Sequence, residues 1–164
     1  MAYYTGRAGA LFLTSVGTGG VTPASSEQAL KLKDWSLETT LELLETTTID
    51  TAVKSYTPGA VSSTGSATVL YYRREGTTST EPGTQFDQFL GKVMKTSTAG
   101  VVESDRVGIV LRVGDTAGSG GDIKDDIAFN AYITNASLTV NTGELASVAI
   151  QFTVDGSFRE LIDA

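Results

Sequence analysis

Cysteine and histidine are both absent from this chain. Without cysteine there are no disulfides, thiolate metal sites or cysteine nucleophiles, which fits a protein made in a reducing cytosol. Without histidine the usual general base near neutral pH and the commonest zinc ligand are missing. Ser119, although flanked by glycines, therefore has no partner for a hydrolase triad. Neither an enzyme, a metal site nor a cofactor is expected. No stretch approaches the roughly 20 apolar residues that a membrane-spanning helix requires. Residues 1–7 carry no charged start followed by a long apolar core, so no secretory signal is expected. Positive charge is scarce as well: 12 basic residues face 19 acidic ones, for a net charge of −7. Stable nucleic-acid binders neutralise phosphates with basic patches. The only adjacent basic pair, Arg73-Arg74, sits beside Glu75. A chain of this charge repels DNA.

What remains is rich in threonine and glycine, a bias towards strands and turns. The most informative stretch runs from Leu30 to Leu43. Leu30 and Leu32 alternate with lysines, the pattern slips at Asp34, and it resumes as Trp35, Leu37, Thr39, Leu41 and Leu43 against Ser36, Glu38, Thr40 and Glu42. Strict alternation describes a strand with one buried and one wet face. As a single strand, residues 29–45 would span about 55 Å at roughly 3.3 Å per residue, whereas ordinary strands rarely exceed ~10 residues. The slip at Asp34 predicts a bulge or bend.

Further strands are expected at residues 3–16, 62–73, 106–113, 126–140 (with a phase slip near Asn135) and 145–154. A hairpin turn is expected at Asn141-Thr142-Gly143-Glu144. In 106–113 the inward set is Val107, Ile109, Leu111 and Val113, leaving Val110 and Arg112 outward. Trp35, Leu37, Leu41 and Leu43 are expected in the core. One helix is expected at about 85–95, capped by Thr84, with Phe86, Phe89, Leu90, Val93 and Met94 on one stripe. Residues 46–61 show no sustained periodicity and read as a long loop carrying Ile49, Val53 and Tyr56. The chain thus reads as a single domain over 1–164, a mainly β two-sheet sandwich or barrel with one flanking helix.

Other motifs carry little chemistry. The Gly- and Asp-rich stretch 114–124 lacks the spacing of an EF-hand or a calcium-binding nonapeptide repeat, and reads as a flexible acidic loop. Gly91-Lys92 is not preceded by a glycine-rich loop and is no P-loop. Asn135-Ala136-Ser137 fits a glycosylation sequon only incidentally. Glu38 and Glu42 on an extended strand lie ~13 Å apart, beyond either glycosidase geometry.

In the order of its segments the chain resembles the major tail tube proteins of tailed bacteriophages. The resemblance rests on Leu32-Lys33-Asp34-Trp35-Ser36-Leu37-Glu38 through Leu43-Leu44-Glu45-Thr46-Thr47, and on Tyr56-Thr57-Pro58-Gly59. Gly65-Ser66-Ala67-Thr68 leading to Leu70-Tyr71-Tyr72 adds to it, as does Phe129-Asn130-Ala131-Tyr132-Ile133 followed by the 141–144 turn. It covers most of residues 30–154. The resemblance implies a virion structural protein whose hexameric rings stack into a hollow tube conducting DNA from capsid to host. The lumen sheet would be completed by oligomerisation. It implies lumen-facing, DNA-repelling positions at Ser36, Glu38, Thr40, Glu42, Ser66, Thr68, Gln151 and Thr153. By analogy, contacts between subunits or rings fall to Ile49, Val53, Tyr56 and Pro58 in the 46–61 loop, and to Phe158, Leu161 and Ile162 in an assembly tail at 155–164. Implied partners are further copies of the chain, tape measure, tail terminator and baseplate or distal tail proteins, and a sheath if the tail contracts. DNA passes without tight binding, no membrane is involved, and the location is the virion tail, assembled in the host bacterial cytoplasm. The alternatives are the tube of a non-phage contractile injection system, of tailocin or type VI kind, and a carbohydrate-binding β-sandwich.

Overall fold

The structure, a computed structural model, describes residues 9–14, 16–18, 32–49, 53–70, 91–95, 98, 100–118 and 121–161, with the backbone alone for 115–118 and 121–124. Its strands are β1 (Ala10–Thr14), β2 (Leu32–Glu45), β3 (Tyr56–Leu70), β4 (Val107–Gly118), β5 (Gly121–Thr139) and β6 (Ser147–Val154). All pair antiparallel in the order β1-β4-β5-β6-β3-β2. The mainly β expectation holds, but the described strands form one sheet curled into a half-barrel, not two packed sheets. The 19-residue β5 is the reason: it pairs with β4 through Ala131 and with β6 from Ala131 onward, so one strand serves both halves. Of the expected helix at 85–95, only its end, residues 91–93, falls among the described helical residues, with Val93 packed on the core.

One face carries the main core. Leu11, Leu13, Val69, Ile109, Leu111, Phe129, Val148, Ile150 and Phe152 are buried there, and Leu32, Trp35 and Leu37 pack against them. Phe129 and Phe152 stack with ring centroids 5.5 Å apart. Two bulges keep apolar residues on this face. Leu32 pairs with Val69 and Asp34 with Thr68, so Lys33 is the extra residue, where the sequence slips. Likewise Ile133 pairs with Phe152 and Asn135 with Gln151, which leaves Thr134 as the extra residue and Ala136 back on the core side.

The opposite face divides in two. Across β1, β4 and β5 it is buried as well, by Ala10, Phe12, Val110 and Ala128. Here the expectation that Val110 and Arg112 face water is corrected. Arg112 is buried with Asp126 in a bidentate pair, Nε to Oδ1 and Nη2 to Oδ2 both at 2.8 Å, and its guanidinium lies 4.7 Å over the Phe12 ring. Alternation fixes which side a residue faces, not whether that side is wet. Across β5, β6, β3 and β2 the same face is open.

Two loops are shorter than expected. β3 starts at Tyr56, so the 46–61 loop contracts to residues 46–55. The 114–124 stretch is mostly strand: the backbone of 114–118 and 121–124 continues as a ladder from Gly114↔Asp125 to Gly118↔Gly121. At 141–144 the expected turn forms, with the Glu144 N–H donating to Asn141 O at 3.3 Å and Gly143 at φ +87.

A single 3-10 turn at Glu103–Asp105 leads into β4. The Lys95 ammonium and the Val102 N–H both donate to the Asp105 carboxylate and hold it below the usual carboxylate range. A carboxylate held low adds stability above its unfolded pKa and loses that contribution as pH falls through its folded value. Asp105→Asn is therefore expected to lower the urea midpoint at pH 7, with the deficit shrinking towards pH 3. An equal deficit at both pH values would show that the charge is not responsible.

Candidate functional site

The open half of the sheet presents side chains in rows fixed by register. One row runs Ser36–Ser66–Gln151–Asn135 across β2, β3, β6 and β5. The next runs Glu38–Thr64–Thr153–Tyr132. A third brings Asp34 beside Thr68 and Ala149. The Ser36 and Ser66 hydroxyls hydrogen-bond at 2.9 Å. Ser36, Glu38, Ser66, Gln151 and Thr153, five of the eight positions expected on this surface, line one shallow depression together with Thr64, Thr134, Gly65 and Phe152. Thr134, next to the inward-facing Ile133, and Thr64 are both signalled by parity alone, whereas Asn135 is brought to this face by the bulge. Thr68 is half-buried one row away.

Thr40 and Glu42 lie further along, where the sheet narrows. β6 ends beside β3 at the Thr64↔Thr153 pair, so beyond it β2 and β3 continue as a two-stranded ribbon. Thr40 pairs with Ser62, and Glu42 lies against Gly59, where an added Cβ would come 3.2 Å from the Glu42 carbonyl oxygen. A register shift falls between Leu41/Val61 and Leu43/Pro58, which places Pro58 beside a bulge, on an edge where its missing N–H costs no ladder bond.

The ribbon overturns one packing expectation. Leu41 and Leu43 continue the parity of Trp35 and Leu37, yet they are exposed, because the core ends with β6. On the same side the last polar contact is a Thr39–Ser63 hydroxyl pair at 2.8 Å. Leu44, Tyr56 and Val61 are exposed too, as are Ile49 and Val53 in the connecting loop. That loop is pinned by the Thr46 N–H to Ser55 O (2.9 Å), the Ser55 N–H to Thr47 Oγ1 (3.1 Å) and the Lys54–Glu45 ion pair (3.3 Å). Of the assembly-tail residues, Phe158 is taken by its own subunit's core, edge-on to Phe129 at 5.8 Å. Leu161 is exposed, and Ile162 lies outside the described residues.

Among the described residues the open face is acid-biased. The Ser36 and Glu38 rows contain no lysine or arginine, and Asp34, Glu38 and Glu42 share the parity of that face. Arg106, at its border, is engaged by Asp155 at 2.6 Å, a contact that raises the guanidinium pKa further. Among the described residues no group of three acidic, histidine or cysteine side chains is placed to hold a metal. Such a surface can bear water and counter-ions; it offers no nucleophile with an activating base.

No family model matches the chain, and no curated protein does. Solved structures match over nearly its whole length. The virion of a native gene transfer agent particle matches at TM-score 0.63 and 9% identity, covering 99% of this chain and 100% of that one. The SPP1 tail tube matches at 0.60 and 14%, covering 98% and 81%. The tail of an empty gene transfer agent particle, from helical refinement with C6 symmetry, matches at 0.56 and 12%, covering 94% and 96%. An anti-feeding prophage cap and the sheath–tube complex of an extracellular contractile injection system match as well. This chain therefore has the fold of tail tube proteins.

Proposed function

We propose that this chain is the repeating subunit of a phage-type tail tube, a structural and non-enzymatic virion protein. Hexameric rings stack into a hollow tube that carries DNA from capsid to host. The observation that carries this reading is the open face of β2, β3, β6 and β5, hydroxyl-rich, acid-biased and bounded by two free edges. Among the described residues, β2 pairs only with β3, and β5 beyond Ala131 pairs only with β6. Long unpaired edges are an aggregation hazard unless a partner covers them. Pairing β2 of one copy with the far half of β5 of the next removes both edges and joins the open faces into a lumen wall. Ser36, Glu38, Ser66, Thr68, Gln151 and Thr153 then face the passing DNA, with Thr40 and Glu42 continuing the wall along the ribbon. A wall of this charge repels phosphate and forms no ion-paired stops. Ile49, Val53, Tyr56 and Pro58 supply contacts between copies, with Leu161 from the tail.

Tape measure, tail terminator and baseplate or distal tail proteins are the remaining partners, in a virion tail assembled in the host cytoplasm. Electron microscopy of the purified protein tests this reading: tubes with a central channel are expected, and a strictly monomeric protein at high concentration would refute it. The double variant Glu38→Lys, Glu42→Lys should still assemble while DNA ejection slows or stops. Unchanged ejection would mean that those carboxylates do not line the channel. The matches to contractile systems favour a second reading, the tube of a contractile apparatus, in which a sheath protein binds the outer surface. A carbohydrate-binding sandwich fits poorly, because Trp35, the only tryptophan, packs against the core and not on the open face.

A further inference from the structure

Before Ala131, β5 pairs with β4 on one side, and among the described residues no strand lies along its other edge. β6 leaves that edge at the Ala131↔Val154 pair, yet the chain returns to it at an isolated Ala128↔Glu160 bridge. From Ala131 to Ala128 is three residues, while from Val154 to Glu160 is six, so the tail makes a detour. It turns at Gly156, whose φ of +79 suits glycine. Before the detour the Asp155 N–H donates to Asn130 O at 2.8 Å, and the Asp155 carboxylate is held by Arg106. After it the Arg159 N–H donates to Ala128 O at 2.7 Å, and the Ala128 N–H donates to Glu160 O at 2.9 Å. Between these anchors Phe158 drops onto the core, edge-on to Phe129. A third segment closes the far side. The Gly17 N–H donates to Asn130 Oδ1 at 3.3 Å, Asn130 Nδ2 donates to Gly17 O at 2.8 Å, and a Cβ added at Gly17 would come 3.1 Å from the Arg159 guanidinium.

We propose that the β5 edge at Ala128–Asn130 is a binding site for an extended peptide, occupied by the chain's own residues 155–160 as a strap that closes the subunit. The contacts define the ligand class: one aromatic side chain, followed directly by residues whose backbone pairs with Ala128. This is strand addition to a sheet edge, in which main-chain hydrogen bonds give affinity and a side-chain pocket gives specificity. The pocket here is the edge of Phe129. An uncovered edge invites pairing with foreign strands, so a strap bound by its own subunit is also a guard. The detour makes the strap separable, whereas a β6 that ran straight on would be part of the sheet. A tether this short gives the strap an effective concentration of about millimolar, so a free peptide at micromolar concentration does not displace it from the native chain. The site belongs to a single copy and does not depend on the tube reading.

Hydrogen exchange of the full-length chain, read at the Ala128 amide, tests the site, because that N–H is donated to the strap. Two variants loosen the strap in different ways. Phe158→Ala empties the pocket; Arg159→Pro deletes the strap's shortest backbone hydrogen bond and leaves the core filled. Each is expected to speed exchange at Ala128 by about tenfold or more while the β3–β6 ladder keeps its native rates. A synthetic peptide of residues 155–161 should then slow Ala128 again in either variant, and the same peptide carrying Phe158→Ala should not. Native exchange at Ala128 in both variants would overturn the proposal, as would a peptide that leaves it fast. Protection lost throughout the sheet in both variants would overturn it too, since the strap would then be no separable part.

Discussion

Gly65→Ala should destabilise the subunit more than its single added methyl suggests. Gly65 lies between Leu37 and Phe152 in the register, and the Phe152 ring rests over its α-carbon. A Cβ there would come 2.5 Å from Phe152 Cζ and 2.5 Å from the Ser36 carbonyl oxygen. The ring can tilt, but the carbonyl belongs to the β2 backbone and moves only with the strand. Overpacking of this kind costs typically 1–3 kcal/mol, so a loss near the upper end, about 3 kcal/mol, is expected. A domain of this size loses roughly 2–4 °C of melting temperature per kcal/mol. Circular dichroism melts of Gly65→Ala and Gly65→Val should show a clear drop for the first and a larger one for the second. Adding Phe152→Leu should recover only the part due to the ring. A native melting temperature for Gly65→Ala would mean that the strands part easily there, and that β2 and β3 are less firmly joined than their register implies.

The second large effect concerns Arg112 and Asp126. Both are buried, 8% and 7% exposed, and each satisfies the other through two charge-assisted hydrogen bonds. Removing either partner takes two charge-assisted hydrogen bonds from a buried charge, at a cost of about 3–5 kcal/mol. Arg112→Met and Asp126→Leu should each lower the urea midpoint by that equivalent. Combined, they should recover most of the loss, because two apolar side chains suit a site already lined by Phe12, Val110 and Ala128. Strictly additive losses in the double variant would show that the pair is not the unit that matters.

Much of the architecture could be read from residue order because alternation is a local signal. The slip at Asp34 announced the Lys33 bulge, the slip near Asn135 announced Thr134, and the 141–144 turn formed where its Asn and Gly stand. What escaped depends on neighbours distant in sequence. Leu41 and Leu43 have the parity of core residues, but β6 stops short of them, and nothing in residues 30–45 says where β6 ends. Arg112 looks like a solvent-facing arginine until Asp126 is placed opposite it. The Gly- and Asp-rich 114–124 stretch has loop composition, yet each half is the other's hydrogen-bonding partner, and pairing outweighs propensity. Phe158, expected at a contact between copies, packs instead on its own core at the edge of Phe129, 29 residues earlier in the chain, a neighbour its local context does not name. The site positions fared better: register alone brings Ser36, Ser66 and Gln151 into one row.

β5 has a mechanical consequence. It is the one strand hydrogen-bonded to both the doubly buried half and the open half. Any rocking of one half against the other is a torque on this single strand. The partner changes at Ala131, and the ladder is interrupted at Thr134, three residues on, so the hydrogen bonding is locally broken and the strand bent beside the crossover. A sheet built this way can flex about one joint while both of its halves stay rigid.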